Sequence, residues 1–407
     1  MTKTKDKISI NAKLYLVAIV FFYIASGAFS MLQGIYIKQL NIGESFLGII
    51  ISLRTLALAI CSVPCAIFVN KYGKKKGLLI AMFFMPIFIA FQGYFQDKWI
   101  ILIFAVLQGA TNSFISVSEG PFFMENSTEK IRLKLFSFSF ADNVFSTMFG
   151  YFAFGTISNS LEKNLNITRA LSYSIILSGA LGVISCIFIL MIKEHKNTSL
   201  KTDQHFYRDM LNVLKGKYSV SLLVYNSIIG FGAGLVVPYF NVYLKYKINI
   251  STQQIGIIMA LAQGAMGIGG IITPFMAKKL GRINTVIICQ IISIPFLMFI
   301  AIPPSVMVVS IALFIRNALM NMTTPITNTM SMELVNQNER SIFASANNIA
   351  GNVSRALSAV VAGFIMSNFA NGYELPYFIT AILYAIATIY FYKCFSPLNR
   401  QAAQLLN

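Results

Sequence analysis

The sequence predicts an all-α membrane protein with twelve transmembrane helices in two pseudo-symmetric six-helix bundles. Three observations predict it. The 407 residues are 56% hydrophobic and 11% charged, whereas soluble domains carry about 25% charged residues. Apolar runs of the roughly 20 residues that cross a bilayer recur along the chain. A constant offset of 208 positions relates its halves: Gly73 maps onto Gly281, Gly48 onto Gly256, Met124-Glu125 onto Met332-Glu333, Arg132 onto Arg340 and Gly155 onto Gly363. One match carries little, but five on a single offset mark a duplicated half-protein.

Taken in order, the apolar runs fall near 14–37, 46–68, 77–95, 99–123, 134–158 and 170–192, then near 218–244, 254–276, 283–302, 305–331, 341–367 and 374–393. The expected organisation is an amino-terminal six-helix lobe over 1–192, a cytoplasmic linker over 193–217 and a carboxy-terminal six-helix lobe over 218–407. The first thirteen residues are polar and basic, and no small-residue cleavage pattern follows the first run, so it is expected to stay in the membrane. Within the linker, Thr202-Asp203 can cap a short helix with Phe206, Met210, Leu211 and Leu214 on one side. An interfacial helix and a disordered tether both fit. Gly230, Gly232, Gly234 and Pro238 in the seventh span, and Gly264, Gly267, Gly269, Gly270 and Pro274 in the eighth, suit either helices that bend and slide or plain close packing.

The basic residues set the orientation. With the amino terminus inside, 23 of the 32 Lys and Arg fall in cytoplasmic segments, six in external loops and three inside spans. The opposite topology inverts the positive-inside rule in most loops. Both termini are therefore expected in the cytoplasm, with the chain multi-pass in the lipid bilayer; the many isoleucines, lysines and asparagines suit an AT-rich bacterial genome, so the expected membrane is the bacterial inner (plasma) membrane. The net charge of +18 does not imply nucleic acid, because it is dispersed over alternate short loops and forms no single basic face. His195 and His205 share one polar loop and read as solvated. Cys61 and Cys65 lie one turn apart in an apolar run, and Cys186, Cys289 and Cys394 are scattered, so neither a metal site nor a disulfide framework is expected. No phosphate-cradling Gly-rich loop followed by Lys-Ser or Lys-Thr occurs, and no Ser/His/Asp set supports an enzyme. No cofactor is expected.

The turn between spans two and three, AIFVNKYGKKKGL at 66–78, resembles the G-x-L-A-D-R-x-G-R-K-x-x-L signature of the major facilitator superfamily. Its second copy is PFMAKKLGRINTV at 274–286. Lys71, Gly73, Lys74, Lys75 and Leu78 agree in kind; Asn70 replaces the acidic residue and Ala66 the first glycine. In the second copy Lys279, Gly281 and Arg282 remain, and Lys278 stands where the acid would be. Glycine there permits a tight turn with positive φ, and the cations can meet helix carbonyl ends and carboxylates. Glu125 and Glu333 each lie seven positions before an arginine, Arg132 and Arg340, in a spacing similar to the superfamily's cytoplasmic gate. The resemblance implies a gate made of Lys71, Gly73, Lys74, Glu125, Arg132, Lys279, Gly281, Arg282, Glu333 and Arg340. The antiporters' Gly-Pro element in the fifth span is absent: GYFAFG at 150–155 and SAVVAG at 358–363 keep the terminal glycine without the proline.

Ionisable residues inside spans are expensive and are functional candidates. Arg54, Glu119, Asp142, Arg316 and Arg355 are the five. Glu119 and Asp142 are either proton carriers, since burial favours the protonated acid, or ion-pair partners of Arg54, Arg355 or the loop lysines. Arg316 lies too deep in its span to snorkel and is expected to face an internal cavity. Three arginines against two carboxylates lean toward an anionic or zwitterionic substrate group. Polar companions include Tyr23, Tyr36, Asn143, Tyr239, Gln263, Asn321, Asn347 and Asn348. The superfamily lines its cavity with helices one, four, seven and ten, which favours Gln33, Asn112, Asn241 and Asn317 beside Arg54, Arg316 and Arg355.

The expected function is secondary transport of a small-molecule organic substrate by alternating access, as proton-coupled efflux by a monomer. Efflux rests on broad resemblance to bacterial export-type members. An uptake permease, a lipid or glycolipid flippase, and a non-transporting sensor on a transporter scaffold are the alternatives.

Overall fold

The structure, a computed structural model, describes residues 8–193, 216–302, 305–335 and 340–404. All regular structure among them is helical: α1 (Ile10–Gln39), α2 (Glu44–Tyr72), α3 (Lys74–Tyr94), α4 (Lys98–Glu125), α5 (Glu129–Leu161), α6 (Ile167–Leu190), α7a (Lys217–Val236), a 3-10 turn (Val237–Tyr239), α7b (Phe240–Tyr246), α8 (Thr252–Leu280), α9 (Arg282–Ala301), α10 (Val306–Leu334), α11 (Arg340–Asn368) and α12 (Leu375–Gln404). The linker helix expected around Phe206 to Leu214, with both histidines, lies outside the described residues.

Local chemistry fixes where the helices begin. Ser9 accepts from the Ala12 N–H, Asp97 from Trp99 and Ile100, Asn166 from Arg169 and Ser305 from Val308, each cap contributing about 1 kcal/mol. Gly73 ends α2 and starts α3 at φ +98°, and Gly281 separates α8 from α9 at φ +81°. A side chain at either place would meet the carbonyl that disfavours left-handed backbone. The seventh span breaks at Pro238: with no N–H to continue the ladder, the chain tightens into the 3-10 turn before α7b resumes. The eighth span, by contrast, runs through Pro274 as one helix.

Eleven spans among the described residues are long and apolar enough to cross a membrane. The remaining long helix is α5, with 33 residues. Arg132, Lys134 and Asp142 interrupt the first half of its apolar run. Large apolar side chains such as Ile60, Phe145, Ile271 and Phe275 are exposed, as a surface facing hydrocarbon requires.

The chain forms two compact units. One joins Met1–Gly43, Leu53–Thr202 and Leu244–Ala260; the other joins Glu44–Ser52, Asp203–Tyr243 and Leu261–Asn407. In the first, α1 packs on α5 and α6, and α3 on α4 and α6. In the second, α7a packs on α11 and α12, and α9 on α10 and α12, the same pairing six spans later. The start of α2 belongs to the second unit and the start of α8 to the first, and glycine makes both placements close. A Cβ on Gly48 would lie 2.6 Å from the Ala359 carbonyl oxygen, and one on Gly363 2.5 Å from that of Glu44. In the first unit, a Cβ on Gly256 would lie 2.5 Å from the Tyr151 oxygen, and one on Gly155 3.0 Å from that of Thr252. Each contact maps onto its counterpart by 208 positions. The flanking bonds, Ser45 N–H to Ser367 Oγ at 2.9 Å and Asn159 Nδ2 to Gln253 Oε1 at 3.4 Å, do so as well. The offset therefore repeats contacts as well as letters.

Candidate functional site

In the first unit, polar residues in apolar helices find one another through a relay of amides. Arg54 on α2 donates from Nη1 to Gln33 Oε1 at 2.8 Å; Gln33 Nε2 donates to Gln92 Oε1 at 3.0 Å; Gln92 Nε2 donates to Gln108 Oε1 at 3.0 Å. All three glutamines are buried. Every amide presents its oxygen toward the cation and its nitrogen away, so each bond polarises the next. The Arg54 backbone fits closely against Gly109 of α4, where a Cβ would clash with the Arg54 carbonyl oxygen.

A second cluster lies nearer the basic end of the same unit. Glu119 on α4 accepts from Ser139 Oγ of α5 at 2.5 Å. Tyr15 and Tyr23 of α1 lie within electrostatic reach of it, and Asn143 hydrogen-bonds Tyr23. Glu119 has no cationic partner among the described residues, so the ion-pair alternative finds no mate there. Asp142, one residue before Asn143, is partly buried, likewise without an ion pair among the described residues.

In the second unit, Arg316 of α10 is 3% exposed, so its side chain faces protein. Its Nη2 donates to Tyr384 Oη of α12 at 3.0 Å and its Nη1 to Asn317 Oδ1 at 3.2 Å. The guanidinium carbon lies 5.6 Å from the Phe240 ring centroid and 5.9 Å from that of Tyr384, in cation–π range. Asn317 Nδ2 reaches the Ala262 carbonyl at 3.4 Å. The 208 offset carries Gln108 onto Arg316, Gly109 onto Asn317 and Arg54 onto Ala262. The two crossings are thus equivalent backbones bearing different side chains.

The other expected cavity residues are more dispersed. Asn241 is buried beside the α7 break and accepts from the Val242 N–H. Asn112 is partly buried and its side chain makes no hydrogen bond among the described residues. Arg355 is exposed on α11, also with no ion pair among them. Tyr36 and Tyr239 donate to the Gly93 and Ala359 carbonyls, which makes them helix ties. Asn347 pairs with Asn226 at 2.8 Å.

At the basic end, Lys74 pairs with Glu125, and Arg282 pairs with Glu333 at 2.6 Å. Each pair stays within its unit and joins the start of one helix to the end of the next, α3 to α4 and α9 to α10. The two are again 208 positions apart. Lys71 stands over the Tyr72 ring at 5.2 Å, Lys279 is exposed, and Arg132 Nε is buried without a hydrogen bond among the described residues. The Arg340 side chain lies outside the described residues.

Sequence reasoning did not single out Gln92, Gln108, Ser139, Tyr15, Phe240, Tyr377 or Tyr384. The two glutamines carried a usable signal, as isolated amides in apolar runs. The aromatic residues carried none, because their partners are set by helix rotation.

The Major Facilitator Superfamily model matches residues 14–359 and again 222–405. By sequence, no curated protein matches the chain. Among solved structures, the nucleoside transporter NupG superposes with a TM-score of 0.80 at 13% identity, covering 95% of this chain and 99% of that one. A bacterial homologue of the human lysosomal transporter Spinster, inward-facing and unoccupied, gives 0.77 at 12% identity, covering 97% and 98%. A D-xylose–proton symporter gives 0.76 at 14%, covering 94% and 97%. At these identities the likeness is one of fold, while the family match extends over the whole described helical array. The chain belongs to the major facilitator superfamily.

Proposed function

We propose that this chain exports a small organic solute by alternating access, driven by protons that Glu119 and Asp142 bind and release. The family makes it a transporter of solutes rather than an enzyme; direction and coupling are our reading. One observation carries the coupling, while export rests on the resemblance to bacterial export-type members. Glu119 sits among hydroxyl and phenol groups with no cation among the described residues, an environment in which neutral acid and carboxylate are both accommodated and the proton can be exchanged. An acid clamped by a lysine would stay ionised instead.

In this scheme the halves 1–192 and 218–407 move as rigid six-helix bodies about the linker 193–217, in a monomer of the inner membrane with both termini in the cytoplasm. Glycine contacts at the outer crossings part and re-form, and the basic turns with Glu125 and Glu333 act at the cytoplasmic side. Uptake is the second reading, favoured by the likeness to a D-xylose–proton symporter.

Proteoliposome flux separates the two. Antiport predicts solute accumulation in vesicles with an acid interior, since protons leave as solute enters, whereas symport predicts accumulation with an acid exterior. Accumulation that persists after the proton gradient is collapsed would remove the role given to Glu119 and Asp142.

A further inference from the structure

The surroundings of Arg316 are rich in hydrogen-bond donors and poor in acceptors. A guanidinium offers five N–H groups and accepts nothing. Here Asn317 and Tyr384 take one each, Nε is buried with no partner among the described residues, and no carboxylate among them pairs with it. Tyr384 meets Arg316 through its oxygen, and its own O–H has no acceptor among the described residues. Tyr377 stacks on the same Phe240 ring with centroids 6.2 Å apart, lies within electrostatic reach of Arg316, and has a buried hydroxyl without a partner among the described residues. The buried Nε of the cation and the phenol hydroxyl of Tyr377 near it therefore have no acceptor among the described residues.

The donors are also held in place. The Tyr384 ring fits where Gly232 leaves room, since a Cβ there would lie 2.8 Å from Tyr384 Cε1. Thr380 Oγ1 donates to the Gly232 carbonyl at 3.0 Å, tying α12 to α7a. Asn317 is anchored to α8 through Ala262. A cation at mid-span costs about 3 kcal/mol on insertion scales, and removing a buried charge's partner is expensive. Such an arrangement calls for an acceptor-only group of opposite charge.

We propose that Arg316, with Tyr384, Tyr377 and Asn317, receives an oxyanion of the transported solute, a carboxylate or a phosphate, while Phe240 lies against the solute's apolar portion. The planar fork gives Nε and Nη2 together to two anionic oxygens. This rests on the transport reading only in taking the anion to be part of the solute.

The test is equilibrium binding to the purified full-length protein in detergent, without any gradient, using benzoate, phenyl phosphate and the neutral benzamide. Benzoate or phenyl phosphate is expected to raise Tm and benzamide to leave it unchanged; which of the two anions acts identifies the oxyanion. Arg316→Gln is expected to weaken anion binding by about a hundredfold while Tm without ligand holds or rises, because an uncompensated buried charge has gone. Stabilisation by neither anion, equal stabilisation by benzamide, or undiminished binding in Arg316→Gln overturns the proposal. Should that variant not fold, Arg316→Lys and Tyr384→Phe decide: both are expected to weaken binding, and unchanged affinity in both overturns it. Loss of proton-driven flux with anion binding intact would count against the transport reading alone.

Discussion

Glu119 and Gln33 show how single polar side chains acquire different roles inside apolar helices. Gln33 is bonded at both ends, to Arg54 and to Gln92. Gln33→Leu leaves the Arg54 donor and the Gln92 oxygen unmatched and should destabilise the protein by about 1–3 kcal/mol per stranded group. The measurement is thermal unfolding, and Arg54→Gln added to Gln33→Leu should cost less than the two singles together, because the pair shares one bond. Glu119 accepts from the Ser139 hydroxyl, with the Tyr15 phenol beside it. Glu119→Gln imitates the protonated acid, so solute exchange between equal pools should persist while proton-driven accumulation falls to the level seen without a gradient. Paired uptake and counterflow assays check this, and full accumulation in the variant would sink the coupling role. The charged positions were legible in the sequence because a charge in an apolar run is rare. Their partners were not: Tyr384 lies 68 positions from Arg316 and reaches it through the packing of α12, which no spacing encodes.

At the scale of the helix, the repeat was readable and its meaning was not. Gly48, Gly155, Gly256 and Gly363 stand out in the sequence as letters that recur at one offset. The structure joins them, Gly48 to the α11 backbone around Ala359 and Gly256 to the α5 backbone around Tyr151. Small residues at helix crossings let backbones touch, and only the tertiary arrangement says which helix is touched. Gly48→Val should push the start of α2 away from α11, since a Cβ 2.6 Å from a carbonyl oxygen cannot be accommodated without backbone movement. A cysteine at Ser45, whose N–H bonds Ser367, should then be alkylated faster in the Gly48→Val background than in the wild-type background. Equal rates would mean that the crossing does not depend on this glycine. The break in α7 was legible for a simpler reason: Pro238 lacks the N–H that the ladder needs, whatever surrounds it.

For the molecule as a whole, α5 decides the topology. Asp142 and the many Ser, Thr and Asn residues leave α5 without a stretch as apolar as those of the eleven clear spans, yet the number of crossings between the two basic turns depends on it. With α5 spanning, six crossings separate Gly73 from Gly281, so both turns emerge on the same side and the excess of Lys and Arg stays on one face. Without it, every loop after α5 would change sides and the Lys278–Arg282 turn would face outward. The order of the charges along α5 favours a crossing. Arg132 and Lys134 stand within its first turns, at the end where Lys74 meets Glu125, so they need not enter the hydrocarbon. From Leu135 to Leu161 the helix carries Asp142 as its one charged residue and, at ~1.5 Å per residue, is about 40 Å long, enough to cross with tilt. Single cysteines at Ser127, Lys163 and Lys278 test this in intact cells with a membrane-impermeant maleimide. Lys163→Cys should react, and Ser127→Cys and Lys278→Cys should react only after the membrane is permeabilised. Labelling of Lys278→Cys from outside would mean that the carboxy-terminal half is inverted, and the duplicated basic turns could not then belong to one cytoplasmic gate.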